Sequence, residues 1–233
     1  MPMIVPQLYL LPAAIAALLA GMSAARAQSP ADLASRIEAG TIAVISDGDF
    51  VGPTYATGRL TAAASSHRDL LTMIAPGRDA AATRIGQVEV SNSVTGPPEV
   101  LSLTRDGRTA LVVERLQGRG PGIETVQQLG PGRRLFAVDL TDKAAPRVID
   151  RIELPATHPE SVRVSPDGRT VAVVANTDRA ASLFLIPFRD GRLGPVAAHD
   201  LAGQGVTGTS TGSAPKPGGV TATFADWHPS GRF

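Results

Sequence analysis

Two stretches of this chain match position by position at a constant spacing of 61 residues. The first runs Pro98-Glu99-Val100-Leu101-Ser102-Leu103-Thr104-Arg105-Asp106-Gly107-Arg108-Thr109 and on to Val113. The second runs Pro159-Glu160-Ser161-Val162-Arg163-Val164-Ser165-Pro166-Asp167-Gly168-Arg169-Thr170 and on to Val174. A shorter third copy, Thr223 to Arg232, contains Trp227-His228-Pro229-Ser230-Gly231 and follows at a spacing of 63. A fixed period of this length means that one supersecondary unit has been copied. A single unit cannot bury both of its faces, so neighbouring units must stack on it.

Each copy reads as β structure. A short apolar strand runs into Asp-Gly, a strong signal for a tight hairpin because Gly takes positive φ without steric cost. A β-branched strand follows, Thr109–Val113 or Thr170–Val174. The third strand is Leu135–Leu140 or Ser182–Ile186. After a turn (Thr141–Pro146 or Arg189–Pro195) the fourth is Arg147–Leu154 or Val196–Leu201. Four antiparallel strands per repeat make a propeller blade.

Upstream, Leu70–Ile74 and Ile85–Val90 are predicted to be the last two strands of an earlier blade, and Thr41–Ile45 a strand closed by Asp47-Gly48. The expected fold is all-β: an incomplete β-propeller of four-stranded antiparallel blades, with about three blades present. Its blades fall at about 41–97, 98–157 and 158–219, with the start of another at 220–233. Closed propellers need about four blades or more, so the sequence is expected to be a fragment or a prematurely ended frame. An open β-sandwich of natural length is the alternative. With 24 Gly and 19 Pro the chain favours many turns over long helices, and with 4% aromatic residues its core must rest on Val, Leu, Ile and Ala.

Ser165-Pro166-Asp167-Gly168-Arg169, followed by Val174-Ala175-Asn176, resembles the repeat of YVTN-type and lactonase-like seven-bladed propellers, a WD-like repeat. There a Ser-Pro-Asp-Gly hairpin precedes a strand ending near Val-Thr-Asn. Val173 stands here in place of the Tyr and Ala175 in place of the Thr. The resemblance covers Pro98–Phe233 and reaches back, diluted, to about Leu70. It implies the propeller fold. Similar blades occur in lactone hydrolases, quinoprotein subunits, surface-layer proteins and binding scaffolds, so it implies no single activity.

Leu8 to Ala25 is almost wholly apolar and ends in Ala25-Arg26-Ala27, small residues that fit a signal-peptidase site. Residues 1–27 are therefore expected to be a cleaved signal peptide, although no basic side chain precedes the apolar run. The alternative is an uncleaved anchor, but Pro6 and Pro12 shorten the usable helix below the roughly 20 residues a span needs. The expected location is periplasmic or secreted, with no membrane attachment after cleavage. Residues 28–40 are predicted to form a short helix capped by Ser29, with Pro30 in its first turn and Gly40 at its end. The chain has no cysteine, which excludes disulfides, thiolate catalysis, Cys-ligated zinc and lipidated cysteine anchors. A net charge of +1 without a basic stripe gives no footprint for nucleic acid.

In such a blade the Asp-Gly turn lies at the bottom, and the loop between second and third strands lies at the top. Both long irregular stretches then fall on top: the second-to-third loop Gln117–Arg133, and the interblade connection Gln204–Gly219. Loops beyond roughly 12 residues in a compact domain tend to be functional or disordered. On the same face, where the innermost strands begin, Glu99, His158 and Glu160 are candidate ligand contacts ringing a central channel. Solvated rim charges are the plainer reading of the same residues.

Other motifs carry less. Gly208-Thr209-Ser210-Thr211-Gly212 satisfies G-x-S-x-G but lacks the strand before it and the helix after it that a nucleophile elbow requires. Asp47-Gly48-Asp49 could hold a cation, but the sequence shows no further oxygen ligands and reads as a turn. His67, His199 and His228 share no metal-ligand spacing. Trp227 takes the slot of Leu103 and Val164, where packing between blades explains it. No metal and no cofactor is expected. Three functions remain open: a scaffold binding a protein or small molecule on its top face, a lactonase-like hydrolase, and a subunit of a periplasmic quinoprotein-type oxidoreductase. The scaffold leads because the hydrolase needs several convergent acid–base groups, and the oxidoreductase needs a cofactor-bearing partner.

Overall fold

The copied segments fold into sheets of the same build. The computed structural model describes residues 40–61, 68–77, 79, 81–93, 99–176, 181–206 and 222–231. The expected leader, most of the short helix after it, His67, and the G-x-S-x-G segment lie outside the described residues. Ala39–Phe233 forms one compact unit.

Its first sheet joins β1 (Ile42–Ser46), β2 (Leu70–Ala75) and β3 (Arg84–Glu89), with a short helix α1 (Gly52–Thr57) between the first two strands. The second sheet is β4 (Leu101–Leu103), β5 (Thr109–Val113), β6 (Arg134–Asp139) and β7 (Arg147–Glu153), paired in chain order. The third runs through β8 (Pro159–Val164), β9 (Thr170–Asn176) and β10 (Ala181–Arg189). Both β11 (Arg192–Leu193) and β12 (Ala197–Asp200) then pair with β10. All pairings within these sheets are antiparallel. The described residues are thus all-β with almost no helix, as the alternating apolar runs and frequent turn residues require. The three strands of the first sheet and β12 form where the apolar runs predict strands; the difference from expectation is β11, a two-residue strand inside the turn expected at Arg189–Pro195.

The two Asp-Gly bends are equivalent in detail. Gly107 has φ 66° and Gly168 has φ 73°. Thr104 Oγ1 donates to Asp106 Oδ1 at 2.7 Å, and Ser165 Oγ donates to Asp167 Oδ1 at 2.6 Å. The same carboxylate oxygens accept the Arg108 and Arg169 amides, each at 3.0 Å. Each bend spans four residues between paired ends, two more than the shortest hairpins. The Asp side chain organises it by accepting the hydroxyl and an amide, and only the Gly adopts the left-handed conformation. The third copy repeats the pattern: Gly231 has φ 67°, and its amide donates to His228 O at 2.8 Å.

The middle strands of the second sheet, β5 and β6, are buried on both faces. Along β5, Leu111 and Val113 point into a cluster with Val162, Val171, Val173, Phe184 and Ile186 of the third sheet. Ala110 and Val112 point the other way, into a cluster with Leu71 and Met73 of the first sheet. Alternation of side chains along a strand makes this possible, and Thr109–Val113 is apolar on both sides for that reason. The first strands of the second and third sheets lie side by side. Glu99 bridges Ser161 in parallel, and the Val162 amide donates to Glu99 O at 3.0 Å. The third copy continues along the same line, where Trp227 Nε1 donates to Arg163 O at 3.2 Å. At the outer edge, the Leu193 amide donates to Asp150 Oδ2 of the second sheet at 2.8 Å.

Candidate functional site

The end of the sheets opposite the Asp-Gly bends carries two long loops that are knitted together. The segment after β1, with α1, runs against the loop between β5 and β6. Leu60 N donates to Glu124 O at 2.9 Å, and Val126 N donates to Gly58 O at 2.9 Å. Gly58, at φ 67°, ends α1 and turns the chain toward this contact. Arg119 fastens the loop from within: Nε donates to Ile123 O at 2.6 Å, and Nη1 donates to Thr61 O at 2.7 Å and Asp49 Oδ1 at 3.2 Å. The result is a cleft of about 500 Å³, walled by Gly118–Glu124 on one side and by Asp49, Arg68, Asp69, Glu89 and Ser91 on the other. A shallower cleft of about 680 Å³ lies at the other end between the two Asp-Gly bends.

Three carboxylates cluster beside the upper cleft, which Asp49 and Asp69 line. Asp47 and Asp49 follow β1, and Asp69 precedes β2. The antiparallel pairing of Ser46 with Leu70 brings these segments together. One oxygen of each lies within 4.8 Å of the others. The approach is close because residue 48 is Gly: a Cβ there would stand 2.5 Å from the Arg68 amide nitrogen. Asp47 Oδ1 accepts the amides of Asp49 and Phe50, both at 3.0 Å. Asp69 accepts the Gly48 and Asn92 amides, both at 3.2 Å. Burial first, and the neighbouring Asp47 carboxylate second, push Asp69 up to about 7. Among the described residues, these three carboxylates are the group placed to hold a metal. The sequence pattern exposed only Asp47 and Asp49, because Asp69 arrives through strand pairing.

The residues expected to ring the channel occupy the same end of the sheets but do different things. Glu99 is half-buried and ion-paired with Arg163 of the neighbouring first strand. His158 takes φ 55°, unusual for a side-chain-bearing residue, and its amide donates to Gly132 O at 2.9 Å, so the end of the long loop places it. Glu160 is 2% exposed and lies 3.1 Å from Arg115, itself 4% exposed, at the end of β5. Burial pushes the Glu160 carboxyl up, with Arg115 and Asn176 opposing it. Asn176, the repeat equivalent of Arg115, ties in the third copy by exchanging hydrogen bonds with the Ala222 backbone at 2.7 and 3.2 Å. Arg115 and Asn176 thus join successive modules. No helix among the described residues is long and apolar enough to cross a membrane.

No family model matches the sequence, and no curated protein matches it. Among solved structures, the chain is similar to a periplasmic gluconolactonase of Pseudomonas aeruginosa, PpgL, at a TM-score of 0.41 and 23% identity. The match covers 58% of this chain and 35% of that one, so the chain spans about a third of that protein's length.

Proposed function

We propose that this chain carries consecutive blades of an exported β-propeller that binds a small molecule or protein through its top-face loops. The observation that supports the reading most is the cleft under Gly118–Glu124. A long loop is held in place over it by Arg119, and both acidic and basic groups line it. Rigid sheets presenting a shaped polar cleft on one end are what a binding scaffold needs. The apolar run 8–25 with Ala25 and Ala27 supports export to a periplasmic or extracellular space. Glu99 and His158 flank the start of the inner strands as further contacts, whereas Glu160, buried against Arg115, braces neighbouring modules. A lactonase-like hydrolase remains the second reading, favoured only by the repeat motif around Ser165–Arg169.

The test uses the full chain against a panel of aldonolactones and oligosaccharides, followed by thermal shift and by lactone hydrolysis. The scaffold reading expects saturable stabilisation without turnover, weakened at least tenfold by Arg119→Ala. Turnover would favour the hydrolase. Binding unaffected by changes in the loop would reject the cleft as the site.

A further inference from the structure

Asn92 borders the same small cavity as the three aspartates. Asn92 is 2% exposed. Its Nδ2 donates to Ser46 O at 3.1 Å and to Val90 O at 3.0 Å, which fixes the amide's orientation. That leaves Oδ1 buried with no hydrogen-bond partner among the described residues. Asn92 borders a small cavity of about 10 Å³ together with Asp47, Asp49 and Asp69. That is room on the order of one water-sized particle. A buried amide oxygen without a donor is costly, and three clustered carboxylates repel one another. Arg119 reaches the cluster at Asp49, 3.2 Å away. A small cation in this cavity would be ligated by the carboxylates and by the amide oxygen that borders it.

We propose that Asp47, Asp49, Asp69 and the Asn92 side-chain oxygen form a binding site for a divalent cation of the calcium type. The donors are all oxygens, three carboxylates and one amide, which is the set that hard cations take and that zinc and copper do not favour. The site fastens the segment after β1 to the start of β2 and to the end of β3, directly under the cleft-forming loop. It stands whether or not the cleft binds an organic ligand, because its donors come from the first sheet alone.

The test is a titration of the metal-stripped full chain with CaCl2 by calorimetry, with a parallel melting curve. The expected result is saturable binding of one ion with a Kd on the order of 10⁻⁴–10⁻³ M, the range of extracellular calcium modules, together with a rise in Tm. Asp69→Asn and Asp49→Asn each weaken binding at least tenfold while far-ultraviolet circular dichroism is retained. Glu153→Gln, at an exposed strand end, leaves it unchanged. If Asp69→Asn does not fold, Asp49→Asn and Asn92→Ala decide the question. Absence of saturable heat and of any Tm shift in the folded wild type would overturn the proposal, as would equal binding by the wild type and both aspartate variants.

Discussion

Leu111 and Val112 are neighbours in sequence, both 0% exposed, and they point into different hydrophobic clusters. Leu111→Ala opens a cavity between the second and third sheets. Leu-to-Ala changes at fully buried sites cost roughly 2–5 kcal/mol. Val112→Ala opens a cavity between the second and first sheets. It removes two methyl-sized groups at about 0.8 kcal/mol each plus a cavity contribution, or roughly 1.5–3 kcal/mol. In a sheet with one solvated face, one of these two changes would sit on the surface and cost within about 0.5 kcal/mol. Urea unfolding followed by circular dichroism reads the difference as a shift in midpoint at constant slope. Both variants should lose stability well beyond the surface value. A cost under about 0.5 kcal/mol for either one would refute burial on both faces of β5.

Gly168→Ala should cost about 1–2 kcal/mol, because φ is 73° and the left-handed conformation is strained for any residue with a Cβ, even though nothing lies within 4 Å of the added carbon. Gly203→Ala, in open space and without positive φ, should be close to neutral in the same unfolding assay. Glu160→Ala should cost about 3–5 kcal/mol by leaving Arg115 buried without its carboxylate, whereas the double replacement Arg115→Leu with Glu160→Leu should recover most of that loss. The carboxylates of Asp106 and Asp167 are held below the ordinary Asp value, chiefly by the hydroxyls of Thr104 and Ser165. Their contribution to stability is therefore present above the ordinary Asp value and lost as pH falls through the depressed ones. NMR titration should find both midpoints low and Thr104→Val should raise that of Asp106 alone.

Much of the fold was legible because its determinants are local and repeated. Thr109–Val113 and Thr170–Asn176 form strands where the β-branched runs predicted them, and the bends at Gly107 and Gly168 take positive φ as the Asp-Gly pairs required. Helix α1 was not read, since Pro53 and Gly58 bracket a stretch too short to show helical periodicity. The candidate site was less legible. Its long loop was recognised from its length and glycines, but not its partner, because the contact from Gly58 and Leu60 to Glu124 and Val126 spans two modules. Asp47 and Asp49 were visible as a pair, whereas Asp69 and Asn92 join them only through the pairing of β1 with β2 and the path of the chain after β3. The sequence offers Glu160 as a ligand contact at the top of the channel or as a solvated rim charge. Its partner, Arg115, carries no sequence signal, and only the stacking of modules makes the pair a buried one.

Successive modules stand side by side, with their first strands in parallel contact at Glu99 and Ser161. Neighbouring strands lie about 4.8 Å apart, within the roughly 4.4–6.8 Å between Cα atoms that a disulfide spans. The chain has no cysteine to interfere. A Glu99→Cys, Ser161→Cys variant, oxidised mildly in native buffer and read by mass spectrometry, should form an intramolecular disulfide far faster than in concentrated urea. Equal yields in the two conditions, or only intermolecular products, would contradict the account.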